Sequence, residues 1–166
     1  MRRPLKGRFA PGSSINVTVC RRAHVYLCDH RGVSNRPHAP VRVLIVDDHR
    51  IFVEGLTAVL GRDERFDVVG AASSGRDAVA LVRETAADVV LMDMSMPVLD
   101  GVAATRRLLE SQPGLQIVAL SGHTDRLSQK AALEAGAAEF VSKSAELEVL
   151  VATILAVCAR REPAAG

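Results

Sequence analysis

The stretch Val43-Leu44-Ile45-Val46-Asp47-Asp48 sets four consecutive apolar residues against two adjacent carboxylates. An unbroken apolar run of this length suits a strand covered on both faces, not one with a face in water. The arrangement returns downstream. Val89-Val90-Leu91-Met92 ends in Asp93, Val118-Ala119-Leu120 in Ser121, and Phe140-Val141-Ser142 in Lys143. Each run thus places a polar or charged residue at its C-terminal end.

The intervening segments have helical periodicity. Phe52, Leu56, Val59 and Leu60 fall at i, i+4, i+7 and i+8, and Ala78, Leu81 and Val82 form a shorter stripe. The clearest stripe is Leu147, Leu150, Val151, Ile154, Leu155 and Cys158. Ser144 is expected to cap that last helix, with Glu146 and Glu148 in its first turn, and Cys158 reads as a small core hydrophobe. Strands are predicted at 41–46, 66–71, 88–92, 116–120 and 139–141, the second and fifth at the sheet edges because they are less apolar. Five strand–helix units predict an α/β fold, a parallel sheet in a three-layer sandwich with right-handed crossovers. Such folds work in the crevice beyond the C-terminal strand ends, where Asp47, Asp48, Asp93, Ser121 and Lys143 are all expected.

At 166 residues, 48% of them hydrophobic, the chain can bury one domain's core with some excess. Aromatic residues are only 3% and Trp is absent, which argues against a base-stacking nucleic-acid platform. Residues 1–40 carry eight Lys/Arg against Asp29 alone, net +7, whereas residues 41–166 carry thirteen basic and eighteen acidic residues, net −5. The proline- and glycine-broken stretch 1–40 reads as a basic, disordered extension, with a short strand around Ile15, Val17 and Val19. Cys20, His24, Cys28 and His30 lack the spacing of common zinc fingers. No stretch reaches transmembrane length and no disulfide framework is present, so the cytoplasm is expected.

Three carboxylates at one sheet edge repel unless a counter-ion sits among them. Mg²⁺, or Mn²⁺, prefers such oxygen donors. Asp93 is the nucleophile candidate: it ends the most central-looking strand, and a carboxylate that attacks phosphorus forms an acyl phosphate. Lys143 would neutralise a phosphoryl oxygen and the Ser121 hydroxyl would donate to another. The bland reading of Asp47-Asp48 is a capping pair at a helix start. Phe140 has two readings, a half-buried sheet aromatic or a rotameric switch. His49 and His123 have no nucleophile to activate. Gly101 is expected to relax the turn into the third helix, and Gly136 to stop the fourth.

Taken together, VRVLIVDDHRIFVEGL (41–56), DVVLMDMSMPVLDG (88–101), IVALSG (117–122) and GAAEFVSKS (136–144) resemble the receiver domain of bacterial two-component response regulators, over about residues 41–158. The DDHR and DMSMP segments are most similar to the branch with a C-terminal helix-turn-helix domain. The resemblance implies a (βα)5 flavodoxin-like sandwich with strand order 2-1-3-4-5. It implies that Asp93 accepts a phosphoryl group from a sensor histidine kinase. Asp48, Asp93 and the backbone carbonyl of Ser95 would hold Mg²⁺, with Asp47 acting mainly through water. Ser121, Lys143 and the switch aromatic Phe140 complete the implied set, and Ser95 and His123 would tune the lifetime of the phosphorylated state. The implied output is a switched interaction surface, engaging a second copy or a full-length regulator. Residues 159–166 read as a tail and no helix-turn-helix follows, so direct DNA binding by this stretch is not carried over, although the resemblance to that branch implies a place in transcription regulation.

Competing readings are a phosphate-independent interaction domain and a nucleic-acid binder using Arg2, Arg3, Lys6, Arg8, Arg21 and Arg22. A phosphatase of the haloacid-dehalogenase type would want a second Asp two residues after the nucleophile, where Ser95 stands. The chain is therefore expected to be no enzyme beyond slow loss of its own phosphoryl group.

Overall fold

The computed structural model describes residues 17–20, 24–27, 39–96, 101–122 and 126–160. Near the N-terminus, β1 (Val17–Cys20) and β2 (His24–Leu27) pair antiparallel, where the sequence suggested a single strand. They form a sheet of their own.

From Val41 the alternation proceeds as β3 (Val41–Val46), α1 (Arg50–Leu60), β4 (Phe66–Ala72), α2 (Gly75–Thr85), β5 (Val89–Asp93) and α3 (Gly101–Ser111). It continues through β6 (Gln116–Ser121), α4 (Arg126–Glu134), β7 (Glu139–Ser142) and α5 (Leu147–Ala159). The five strands lie in the order β4-β3-β5-β6-β7, all pairs parallel, which is 2-1-3-4-5 counted from Val41. Burial follows that order. All five residues of central β5 are buried, whereas edge strands β4 and β7 are partly exposed.

Period-two alternation sorts the strand side chains into two cores. Val43, Ile45, Val89, Leu91, Val118 and Leu120 pack against Leu56 and Leu60 of α1 and Leu150 and Ile154 of α5. Leu44, Val46, Val90, Met92, Ile117 and Ala119 face Ala78 and Val82 of α2, Leu108 of α3 and Ala132 of α4. This is the three-layer sandwich, with two helices on one face and three on the other.

Several local details depart from the sequence reading. Val59 lies at the margin of the α1 stripe and is 38% exposed. Asp88 precedes β5 instead of opening it; its carboxylate accepts the Arg42 N–H at 3.0 Å, fixing the start of β3. Ser144 does not cap α5. That helix opens after Glu146, and the Ser144 hydroxyl instead pairs with Ser142 Oγ at 2.7 Å. Gly136 follows α4 at φ +103, a left-handed conformation that glycine adopts without strain, and α4 stops there.

Candidate functional site

The alternation that builds the α1/α5 core also delivers the site. In β3, Val43 and Ile45 face α1 and α5, and the next position of that series is Asp47, one residue past the strand. In β5 the series Val89, Leu91 ends on Asp93, and in β7 it runs from Val141 to Lys143. Two carboxylates and an ammonium therefore converge on one face from β3, β5 and β7, with β6 lying between the last two.

Asp47 is 2% exposed and Asp93 is wholly buried. Lys143 Nζ lies 2.7 Å from Asp47 Oδ2 and 2.9 Å from Asp93 Oδ2. Both oxygens are buried, yet neither has a hydrogen-bond partner in good directional geometry. They meet the lysine as charges first. Desolvation pulls the Lys143 ammonium down, and its close contacts with Asp47 and then Asp93 outweigh that and hold it above the ordinary lysine value. The Phe52 ring of α1 covers the same ammonium, 5.1 Å from its centroid, a cation–π contact.

The other oxygens hold the loops in place. Asp47 Oδ1 accepts the His49 backbone N–H at 2.9 Å, and Asp93 Oδ1 accepts that of Ser95 at 3.0 Å. His49, not Asp48, is the N-cap of α1, and it makes no side-chain capping bond. Asp48 keeps a side chain 32% exposed, with Oδ1 3.1 Å from His49 Nδ1. That nitrogen also lies 3.1 Å from Asp47 Oδ1 and 3.8 Å from Asp93 Oδ2. One ligand atom each from Asp47, Asp48, His49 and Asp93 falls within 4.8 Å of all the others. Three carboxylates clustered this closely, with one lysine to offset them, suit a hard divalent cation. The cluster can coordinate one.

Ser121 closes β6, is buried, and follows Ile117 and Ala119 on the α2–α4 side. Its carbonyl accepts the Lys143 N–H at 2.8 Å, tying the end of β7 to β6. Phe140 stands opposite Ala119 and packs, partly buried, against the α2–α4 core. His123 lies outside the described residues. An open hollow of about 460 Å³ above the cluster is lined by His49, Ile51, Phe52, Ser95, Gly122 and Lys143.

Against this geometry, residues 43–155 match the family described as "Response regulator receiver domain". The chain belongs to that family. Over 119 residues this receiver is 41% identical to the response regulator GacA of Pseudomonas aeruginosa, covering 72% of this chain and 56% of GacA. It is also 41% identical over 117 residues to the response regulator UvrY of Escherichia coli strain K12, covering 70% and 54% respectively. The chain thus spans about half the length of these relatives. Among solved structures, a LuxR-family two-component response regulator from Aurantimonas sp. SI85-9A1 superposes with TM-score 0.70 at 34% identity, over 74% of this chain and 88% of that one. A chain of the CheX–CheY–BeF3–Mg²⁺ complex from Borrelia burgdorferi gives TM-score 0.66 at 27% identity, over 71% and 89%. Receivers are phosphoacceptors, not turnover enzymes, and among the described residues no helix is long and apolar enough to cross a membrane.

Two of the receiver's residues carry more than the sequence suggested. Gly101, expected only to relax a turn, starts α3 hard against the end of β5. A β-carbon there would overlap the Asp93 carbonyl oxygen and come within 2.7 Å of Met94 Cα. His49 has no nucleophile to activate, yet its ring reaches all three carboxylates. Its adjacency to Asp47-Asp48 was a signal, but the direction of the ring depends on how α1 leaves the sheet.

Proposed function

We propose that Asp93 takes a phosphoryl group from a phosphohistidine of a sensor histidine kinase, in a Mg²⁺-dependent reaction that Mn²⁺ also supports. The observation that carries this reading is the state of Asp93. It is wholly buried at the end of the central strand, and its Oδ2 has no directional hydrogen bond while Lys143 Nζ stands 2.9 Å away. The cation would be held by Asp48, Asp93 and the Ser95 carbonyl, with Asp47 acting mainly through water. When bound it supplies positive charge that offsets the phosphoryl oxygens. A carboxylate oxygen of Asp93 attacks phosphorus. The P–N bond to the donor imidazole breaks, and its electron pair leaves on that nitrogen. Lys143, held by Asp47 and Phe52, takes one phosphoryl oxygen, and the Ser121 hydroxyl donates to another. The likeness to a chain from a BeF3–Mg²⁺ complex supports this assignment.

Output follows from movement of Ser121 toward the phosphoryl group, with Phe140 turning inward against the α2–α4 core. The face of α4, β7 and α5 then changes. Leu127 and Leu133 on α4 and Val149 on α5 are exposed, as an interaction surface requires. Its partners are a second copy or a full-length regulator in the cytoplasm, with no direct DNA contact from the receiver. Ser95 and His123 tune how long the aspartyl phosphate survives.

Labelling with acetyl phosphate and Mg²⁺, with size followed by chromatography, tests the assignment. Wild type should take up one phosphoryl group per chain, and both Asp93→Ala and chelation should abolish uptake. Unchanged labelling of Asp93→Ala, or none of wild type, refutes it.

A further inference from the structure

We infer that His49 is itself a cation ligand, which makes this a mixed nitrogen–oxygen site that discriminates for Mn²⁺ over Mg²⁺. The inference rests on the cation reading above and extends it to the choice of metal.

Position comes first. Nδ1 of His49 lies 3.1 Å from Asp47 Oδ1, 3.1 Å from Asp48 Oδ1 and 3.8 Å from Asp93 Oδ2. Adjacent ligands at right angles, each about 2.1 Å from one small cation, are about 3 Å apart. The imidazole nitrogen therefore sits at ligand spacing from Asp48, a direct ligand in the cation reading, while a hydrogen bond to Asp47 Oδ1 keeps the ring turned toward the cluster. Its anchor is rigid, because the His49 backbone N–H is held by the same Asp47 Oδ1, at 2.9 Å. The ring's other edge is free. The side chain is 66% exposed, so Nδ1 turns inward while Nε2 can keep its proton toward water. Ligation needs that tautomer, with the lone pair on Nδ1.

Charge is the second argument. Asp47 Oδ2 and Asp93 Oδ2 are buried without directional hydrogen bonds, and one lysine stands against three carboxylates. The cluster calls for further positive charge, and His49 stands at its open side.

Chemistry then sets the preference. Carboxylate, carbonyl and water ligands serve Mg²⁺ and Mn²⁺ alike, whereas imidazole adds affinity for transition metals and little for Mg²⁺. Replacing one water by Nδ1 raises the Mn²⁺/Mg²⁺ affinity ratio. The competing role is a placeholder, in which Nδ1–H donates to Asp47 and the ring must swing away before a cation enters. The two roles differ in sign. Removing a ligand weakens Mn²⁺ selectively, whereas removing a placeholder tightens both ions.

The test uses the full chain without a histidine tag. Mn²⁺ binding is followed by electron paramagnetic resonance, Mg²⁺ by competition, and nitrogen ligation by the ¹⁴N electron spin-echo modulation of bound Mn²⁺. Wild type should show imidazole ¹⁴N modulation, and His49→Phe should lose it. The Mn²⁺/Mg²⁺ ratio should fall by about tenfold, the lower end of ligand-environment effects at metal sites. His49→Gln, which keeps a polar side chain, serves if the Phe variant does not fold, and should also lose the modulation. Mn²⁺ bound to wild type without ¹⁴N modulation, or both ions tightening in His49→Phe, overturns the ligand role and leaves the carboxylate site standing. Failure of wild type to bind either ion overturns the cation reading itself.

Discussion

Replacing Lys143 by Met keeps most of the side-chain volume and removes the charge between two buried carboxylates. In the native chain Nζ is 2.7 Å from Asp47 Oδ2 and 2.9 Å from Asp93 Oδ2, and neither oxygen has a directional hydrogen bond to fall back on. Breaking one partner from a buried ion pair destabilises proteins by about 3–5 kcal/mol. The open hollow lets water reach the cluster from one side, which places the expected loss near 3 kcal/mol, the lower end. At about 4 °C per kcal/mol for a domain of this size, the melting temperature in chelator should drop by roughly 12 °C. Divalent cation should recover part of that loss, because the variant's site carries one more uncompensated negative charge and binds a cation more tightly. The assay is thermal and urea unfolding of wild type and Lys143→Met, each with chelator and with 10 mM Mg²⁺, a roughly saturating choice. A variant within about 0.5 kcal/mol of wild type in chelator would falsify the view that this lysine offsets the buried carboxylates.

Two further substitutions probe features away from the lysine. Gly101→Ala should destabilise by about 1–3 kcal/mol, because the new methyl meets the backbone of Asp93 and Met94, which cannot rotate aside. Acetyl phosphate labelling should slow as well, since the Asp93 peptide must shift; an unaltered melting temperature would contradict the close approach. In the turn after α1, Arg65 Nε contacts both Asp63 oxygens at 2.9 and 3.0 Å. The Arg65 side chain holds the Asp63 carboxyl below its ordinary value, against opposing desolvation. A lowered carboxyl contributes stability above its unfolded value of 3.8 and loses it as pH falls through the folded value. Arg65→Met should thus lose about 0.5 kcal/mol at pH 7, modest because both groups are partly exposed, and the gap in urea midpoints should narrow from pH 5 to pH 3. A gap that stays constant over that range would show the pair is not its source.

The apolar runs at Val43–Val46, Val89–Met92 and Val118–Leu120 fixed both the parallel sheet and its central strands. Burial on two faces leaves a strand no polar position, and that pattern is visible in one dimension. The residues ending those runs were legible for the same reason. A strand delivers its last side chain to the sheet edge whatever packs around it, so Asp47, Asp93, Ser121 and Lys143 were placed at one edge from spacing alone. Orientation was not legible. That Asp47, Asp93 and Lys143 share the α1/α5 face, while Ser121 and Phe140 belong to the other, depends on the register between neighbouring strands. Only pairing sets that register. Gly101 looked like a turn residue because its close neighbour, the Asp93 carbonyl, is eight positions away and meets it only when α3 docks. Ser144 failed as a cap because α5 opens two residues later, after Glu146. His49 looked idle in the sequence. Its place among three carboxylates came from the angle at which α1 leaves β3, a long-range consequence of Leu56 and Leu60 packing onto the sheet.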